Sequence, residues 1–260
     1  MDVQVNGTRL VVERAGQGPT ILFIHGATLD RRMWRTQLEG LSDRFDVITY
    51  DLRGFGQSAV PVPPFKHCED AAALLDQLGV KRATVVGHSI GGLYALELCF
   101  LRPDLVSGLV EVCMSGLGEP SFPDAIVAKF GACRQAARER TIDEAKAVWK
   151  TTGWFDSAMK VPALANELEA MLADYSGIYW AADVSGSNIE PPVRTRLEEL
   201  RIPTLVIDGG LDLDYNHQIA DILARRITGA RLLRLPHVGH MANMEDPAAV
   251  NEAIAALLLR

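Results

Sequence analysis

The stretch Val85-Val86-Gly87-His88-Ser89-Ile90-Gly91-Gly92 constrains the rest of the chain more than any other. An apolar, β-branched run enters a G-x-S-x-G pentapeptide, and Leu93 to Arg102 reads as a helix, so one serine sits at the apex of a strand-turn-helix. A serine there takes a strained backbone, and its neighbours two positions away on each side must be small. Gly87 and Gly91 meet that requirement. The hydroxyl then projects from the sheet, and the N–H of Ile90 at the helix start is left to stabilise a developing negative charge. The bland reading is a tight turn in which serine merely fits; spacing and context together favour Ser89 as a nucleophile.

The flanking sequence alternates as a parallel sheet requires. Residues 3–15 alternate about Asn6-Gly7, which predicts an opening antiparallel hairpin. Ile21–Ile24, Val47–Tyr50, Ala83–Val86 and Gly108–Cys113 are short apolar runs of the kind buried on both faces, with helical stripes at Met33–Leu41 and Glu69–Leu78 between them. From Gly118 to Leu200 the alternation stops. Ile126, Phe130, Cys133 and Ala137, then Leu164, Leu168, Met171, Leu172 and Tyr175, recur at helical spacing, and the segment reads as helical throughout. The pattern resumes with strands at Thr204–Asp208 and Arg231–Leu235, a helix over Tyr215–Ile227, and a last helix capped by Asp246 with Pro247 first. The expectation is an α/β fold, a mostly parallel central sheet with helices on both faces. Its core would be residues 1–117 and 201–260, interrupted by a helical cap at 118–200 lying over the catalytic edge. The cap holds Trp149, Trp154 and Trp180, three of the four tryptophans. Singly each reads as packing; together they suggest an apolar pocket roof, with Trp154 and Trp180 as substrate-facing candidates.

Composition narrows the partners. With 260 residues, 48% of them hydrophobic, a sizeable core forms without help. A formal charge of −7 without a sustained basic run argues against nucleic acid or an anionic membrane and for small molecules. No apolar run is long enough to span a bilayer, and the N-terminus lacks the charged head and apolar centre of a signal peptide. Cys68, Cys99, Cys113 and Cys133 show no C-x-x-C spacing and read as buried free thiols in a reducing cytoplasm. Self-association is compatible with the sequence but not demanded by it.

The remaining chemistry lies in loops that follow strands, where α/β sheets bind ligands. After Thr204–Asp208 come Gly209-Gly210 and then Asp212, favoured over Asp214 because it lies nearer the strand end. After Arg231–Leu235 come His237 and His240; His240 is the candidate base and His237 its rival. A serine hydroxyl is a poor nucleophile at neutral pH, so an imidazole must take its proton and a carboxylate must orient that imidazole. His25 reads as loop-ordering, His88 as a packed neighbour of the elbow, and His67 and His217 as surface or loop residues. The Gly-rich loop Asp51–Ser58 reads as a turn, since the lysine of a phosphate-binding loop is absent. Arg31 and Arg32 are candidates to engage a substrate carboxylate, against the simpler reading of a solvated helix start.

The chain order Ser89, Asp212, His240, with His25-Gly26, Asp51 to Ser58, Gly87 to Gly92, Gly209 to Asp212 and Gly239-His240, resembles a capped α/β-hydrolase over the whole chain. Leu29-Asp30-Arg31-Arg32-Met33-Trp34, Tyr50-Asp51-x-Arg53-Gly54 and Trp154-Phe155 are similar to 3-oxoadipate enol-lactonases and related carboxylesterases. The resemblance implies a serine esterase or lactonase acting through an acyl-enzyme, with the Ala27 N–H as second oxyanion donor and no metal or organic cofactor. Each such donor contributes about 3 kcal/mol in comparable sites. A carbon–carbon bond hydrolase of the meta-cleavage type shares the triad, but Ala27-Thr28-Leu29 and Met241 depart from its motifs. Dehalogenases and epoxide hydrolases of similar fold need an aspartate where Ser89 stands. A non-catalytic ligand receptor on the same fold is the reading from a different class.

Overall fold

The computed structural model describes residues 1–259. Asn6 and Gly7 both adopt positive φ, 45° and 70°, as a two-residue hairpin turn requires, and β1 (Asp2–Val5) folds back on β2 (Thr8–Ala15). β3 (Thr20–Ile24), β4 (Asp46–Tyr50), β5 (Ala83–His88), β6 (Val106–Val112) and β7 (Thr204–Gly209) are almost wholly buried, as continuous apolar runs covered on both faces must be. β8 (Arg231–Leu235) closes the far edge, where exposed Arg231 and Arg234 suit an unpaired strand. The eight strands lie in the order β1-β2-β4-β3-β5-β6-β7-β8; the β1/β2 and β2/β4 pairs are antiparallel and the rest parallel.

The stripe expected over Met33–Leu41 resolves into two pieces. A 3-10 turn spans Arg31–Trp34, capped by the Asp30 carboxylate accepting from the Arg32 N–H, and α1 (Arg35–Leu41) follows. α2 (His67–Gln77) begins two residues earlier than its apolar stripe suggested, and α3 (Ile90–Leu101) is apolar on nearly every side because it packs against β5, β6 and α2. Between β6 and β7 lie α4 (Asp124–Glu139), α5 (Ile142–Lys150), α6 (Pro162–Asp174) and α7 (Ile178–Ala181). This stretch is not helical throughout: residues 182–192 hold no helix, because Gly186 and the pair Pro191-Pro192 deny a helix its propensity and its N–H donors. α8 (Asp214–Arg226), α9 (Ala242–Glu245) and α10 (Pro247–Leu258) complete the chain, the last capped by Asp246 accepting from the Ala249 N–H. The core runs through Phe23, Trp34, Ile48, Val85, Leu109 and Ile207, all buried, with the Phe23 and Trp34 rings 4.8 Å apart. Each such side chain contributes about 1.5–3 kcal/mol on burial.

Candidate active site

Parallel strands deliver their loops to one edge of the sheet, and the site is assembled from the loops that follow β3, β5, β7 and β8. Ser89 follows β5 with φ 56° and ψ −125°, a conformation a non-glycine residue holds only where the surroundings enforce it. Those surroundings are close. A Cβ at Gly87 would run into the Gly91 carbonyl, and one at Gly91 would lie 2.5 Å from the carbonyl oxygens of Ile24 and His25. The Ser89 N–H donates to the Val112 carbonyl at 3.0 Å, tying the turn to β6. Ile90 opens α3, so its N–H has no acceptor within the helix. The Ala27 N–H, in the loop after β3, donates to no group among the described residues. Beside it Thr28 is held at φ 62°, a strained setting for a β-branched residue.

Asp212 and His240 meet because the loops after β7 and β8 touch through their backbones. A Cβ at Gly209 would collide with the Gly239 carbonyl, and the Leu211 N–H donates to the Val238 carbonyl at 2.9 Å. His240 Nδ1 lies 2.6 Å from Asp212 Oδ2, with both side chains almost fully buried. The other oxygen, Asp212 Oδ1, accepts the Leu213 N–H at 2.7 Å, which fixes the carboxylate. His88 holds the histidine loop from below: its Nε2 lies 2.9 Å from the His240 carbonyl, which can only accept, so Nε2 carries the proton. Burial, with the neighbouring His240, pushes the His88 pKa well down, and the ring is neutral.

Ser89, Ile90, Ala27 and His240 line one cavity of about 270 Å³. Ser89 makes no side-chain hydrogen bond among the described residues. Trp154 and Trp180 line the same cavity from the helical segment; the Trp154 ring centre is 5.7 Å from that of His240, and its Nε1 donates to Asn216 Oδ1 at 3.2 Å. The two rivals stand elsewhere. Asp214 is exposed at the start of α8, and His237, with 61% of its side chain exposed, pairs with Asp246 at 2.8 Å.

Arg31 is a correction to the sequence reading. It does not line the cavity; its guanidinium is held by the fully buried Asp51 at 2.7 Å, and its backbone N–H donates to the same carboxylate at 2.8 Å. Arg32 is engaged by Asp30 and Asp174. His25 orders its loop: its Nε2 accepts the Leu52 N–H at 2.9 Å. His67, expected at the surface or in a loop, opens α2, is buried and lines the cavity. The sequence held a signal for it, since His67 precedes Ala71, Leu74, Leu75 and Leu78 at the spacing of one helical face. No comparable signal marked Tyr94 or Tyr179, which line the same wall. Cys113, Asp212 and His240 place potential ligand atoms within 4.8 Å of one another, yet burial pushes the Cys113 thiol well up and keeps it protonated, a poor metal ligand.

Residues 21–253 match the model of the alpha/beta hydrolase family. The chain is 29% identical over 246 residues to 3-oxoadipate enol-lactonase 2 of Acinetobacter baylyi, covering 93% of this chain and 89% of that protein. Among solved structures, a hydrolase from Pseudomonas aeruginosa is 28% identical with a TM-score of 0.84, over 99% of this chain and 97% of that one. The enol-lactonase from Burkholderia xenovorans is 26% identical with a TM-score of 0.80, over the full length of both chains. With a match across most of its length, an eight-stranded sheet in this order and a serine on a strained turn after its fifth strand, the chain belongs to the alpha/beta hydrolase family.

Proposed function

We propose that the protein hydrolyses a carboxylic ester or lactone of a small molecule through Ser89, His240 and Asp212, by way of an acyl-enzyme. The observation that carries this reading is the buried 2.6 Å contact between Asp212 and His240, a histidine that lines the same cavity as Ser89. Asp212 holds Nδ1 of His240 in its protonated form, which leaves Nε2 bare to take the Ser89 proton. The serine oxygen then attacks the acyl carbon, and the carbonyl oxygen gains negative charge between the N–H groups of Ala27 and Ile90. His240 returns its proton to the departing alkoxide or enolate, and water, deprotonated by the same imidazole, releases the acid. The segment 118–200 acts as the cap that keeps bulk water from the acyl carbon, with Trp154 and Trp180 facing the substrate. The four unpaired, buried thiols suit a reducing compartment such as the cytoplasm.

The enol-lactonase relatives support the substrate class, and Ser89 in place of an aspartate favours acyl transfer over epoxide opening. The test is p-nitrophenyl acetate hydrolysis by wild type and Ser89→Ala. Loss of about 10³-fold or more in kcat with an unchanged melting temperature is expected; a variant retaining most of the wild-type rate contradicts the proposal.

A further inference from the structure

Trp154 lines the cavity without the support of regular secondary structure. It lies in the turn after α5, and among the described residues neither its backbone N–H nor its carbonyl joins a backbone hydrogen bond. The turn is seated on the core at two other points. Gly153, at φ 101°, brings it against Leu213, where an added Cβ would lie 3.0 Å from the leucine side chain. Ser157 donates its hydroxyl to Glu245 Oε2 at 2.5 Å, and the same carboxylate accepts the Gly239 N–H. These contacts hold the turn against the loops that carry Asp212 and His240. They do not fix the indole, which still rotates about its own side-chain bonds.

Phe130 and Trp149 flank the indole, with ring centres 5.9 and 5.3 Å away, contacts that a flat ring keeps through a range of orientations. A hydrogen bond is directional. Trp154 Nε1 donates to Asn216 Oδ1 at 3.2 Å, and both residues are buried. Asn216 in turn donates from Nδ2 to the Met114 carbonyl at 3.1 Å and to Ser115 Oγ. An indole can only donate and a carbonyl can only accept, so the amide has a single orientation with both ends in use. Asn216 stands in the first turn of α8, four residues after Asp212, while Met114 and Ser115 follow β6. One side chain therefore joins the helix after the acid, the loop after β6 and the helical segment. Leucine has no polar atom for this task, and a carboxylate has no hydrogen for the Met114 carbonyl.

We propose that Asn216 is a positioning residue for substrate binding: through the indole N–H it holds the Trp154 ring, 5.7 Å from that of His240, in the orientation that receives the substrate. The proposal rests on the ester or lactone hydrolase reading and assigns a specificity-determining contact to the same site. Without the bond the ring populates other rotamers, and apparent affinity falls to the fraction that stays competent. Ser89, His240 and Asp212 are untouched, so the loss falls on KM and not on kcat.

The test is a double-mutant cycle of Asn216→Leu and Trp154→Phe, read as KM and kcat for p-nitrophenyl butyrate. Alone, Asn216→Leu is expected to raise KM about tenfold, the worth of one buried hydrogen bond, with kcat within about twofold of wild type. Added to Trp154→Phe, which keeps a ring but has no N–H, it is expected to change KM by less than about twofold. An equal rise in both backgrounds means that Asn216 only packs α8 on the loop after β6, and overturns the proposal. Hydrogen exchange of the Trp154 indole, followed by NMR and assigned by its loss in Trp154→Phe, gives a readout that needs no turnover. It is expected to be at least about tenfold faster in Asn216→Leu than in wild type, with the indole of Trp34 in the core unchanged. An unprotected Trp154 indole in wild type overturns the proposal. If Asn216→Leu does not fold, Trp154→Phe decides: a raised KM at preserved kcat supports the proposal, and a wild-type KM overturns it. Absence of ester hydrolysis by wild type with the exchange difference intact overturns the hydrolase reading alone.

Discussion

At Arg31 a cation sits in the loop beside the site and is bound before any substrate arrives. Asp51, fully buried, accepts the Arg31 guanidinium at 2.7 Å, the Arg31 N–H at 2.8 Å and the Gln57 N–H at 2.9 Å. The pair is a clamp between the loops after β3 and β4. Arg31→Ala leaves Asp51 with its two N–H donors and without its cation, and should destabilise the chain by about 3 kcal/mol. A thermal melt shows that as a fall in Tm, and the ratio of rates on anionic and neutral esters should stay at the wild-type value. A change in that ratio with Tm unmoved would return Arg31 to the substrate. The sequence exposed an arginine in a loop but not its partner twenty residues on, because ion pairs across loops leave no periodic trace. Ser89, by contrast, was legible from five residues, since the strain at its backbone dictates the glycines around it.

At the scale of elements, β6 carries the least expected feature. Glu111 lies next to its last residue, opposite Gly87 on one side and Val206 on the other, with the carboxyl against Gly92 and neither oxygen hydrogen-bonded. Burial pushes its pKa well up, so the folded chain keeps the proton that the unfolded chain releases. The contribution to stability is complete below the unfolded pKa of about 4.3 and is lost as pH rises toward the folded value. Glu111→Gln removes that slope. Its Tm should exceed wild type by at least about 3 °C at pH 8, the response to roughly 1 kcal/mol in a chain of this size, and the gain should vanish near pH 4. Equal shifts at both pH values contradict a neutral buried acid. The strands themselves were readable because continuous apolar runs between breakers fit little else. The segment after β6 was less so: apolar spacing marked α4 and α6, but the same composition extends over residues 182–192, where proline and glycine break the helix.

At the scale of the molecule, the sheet brings together groups that the chain holds far apart. β5 lies between β3 and β6, and β7 and β8 follow in order, so the loops carrying Ala27, Ser89, Asp212 and His240 emerge at one edge. That convergence was inferable from strand-helix alternation alone. The contents of the cavity were not, because α4, α5, α7 and the start of α2 build its walls through contacts that no local pattern encodes. The account depends on Ser89 being the atom that takes the acyl or phosphoryl group. The most direct measurement is reaction with a fluorophosphonate followed by peptide mass spectrometry, on wild type and on Asp212→Asn. A single adduct on Ser89, formed at least about 10³-fold more slowly in the variant, is the predicted result. An adduct on another residue, or ester hydrolysis that continues at full rate with Ser89 unmodified, would contradict it.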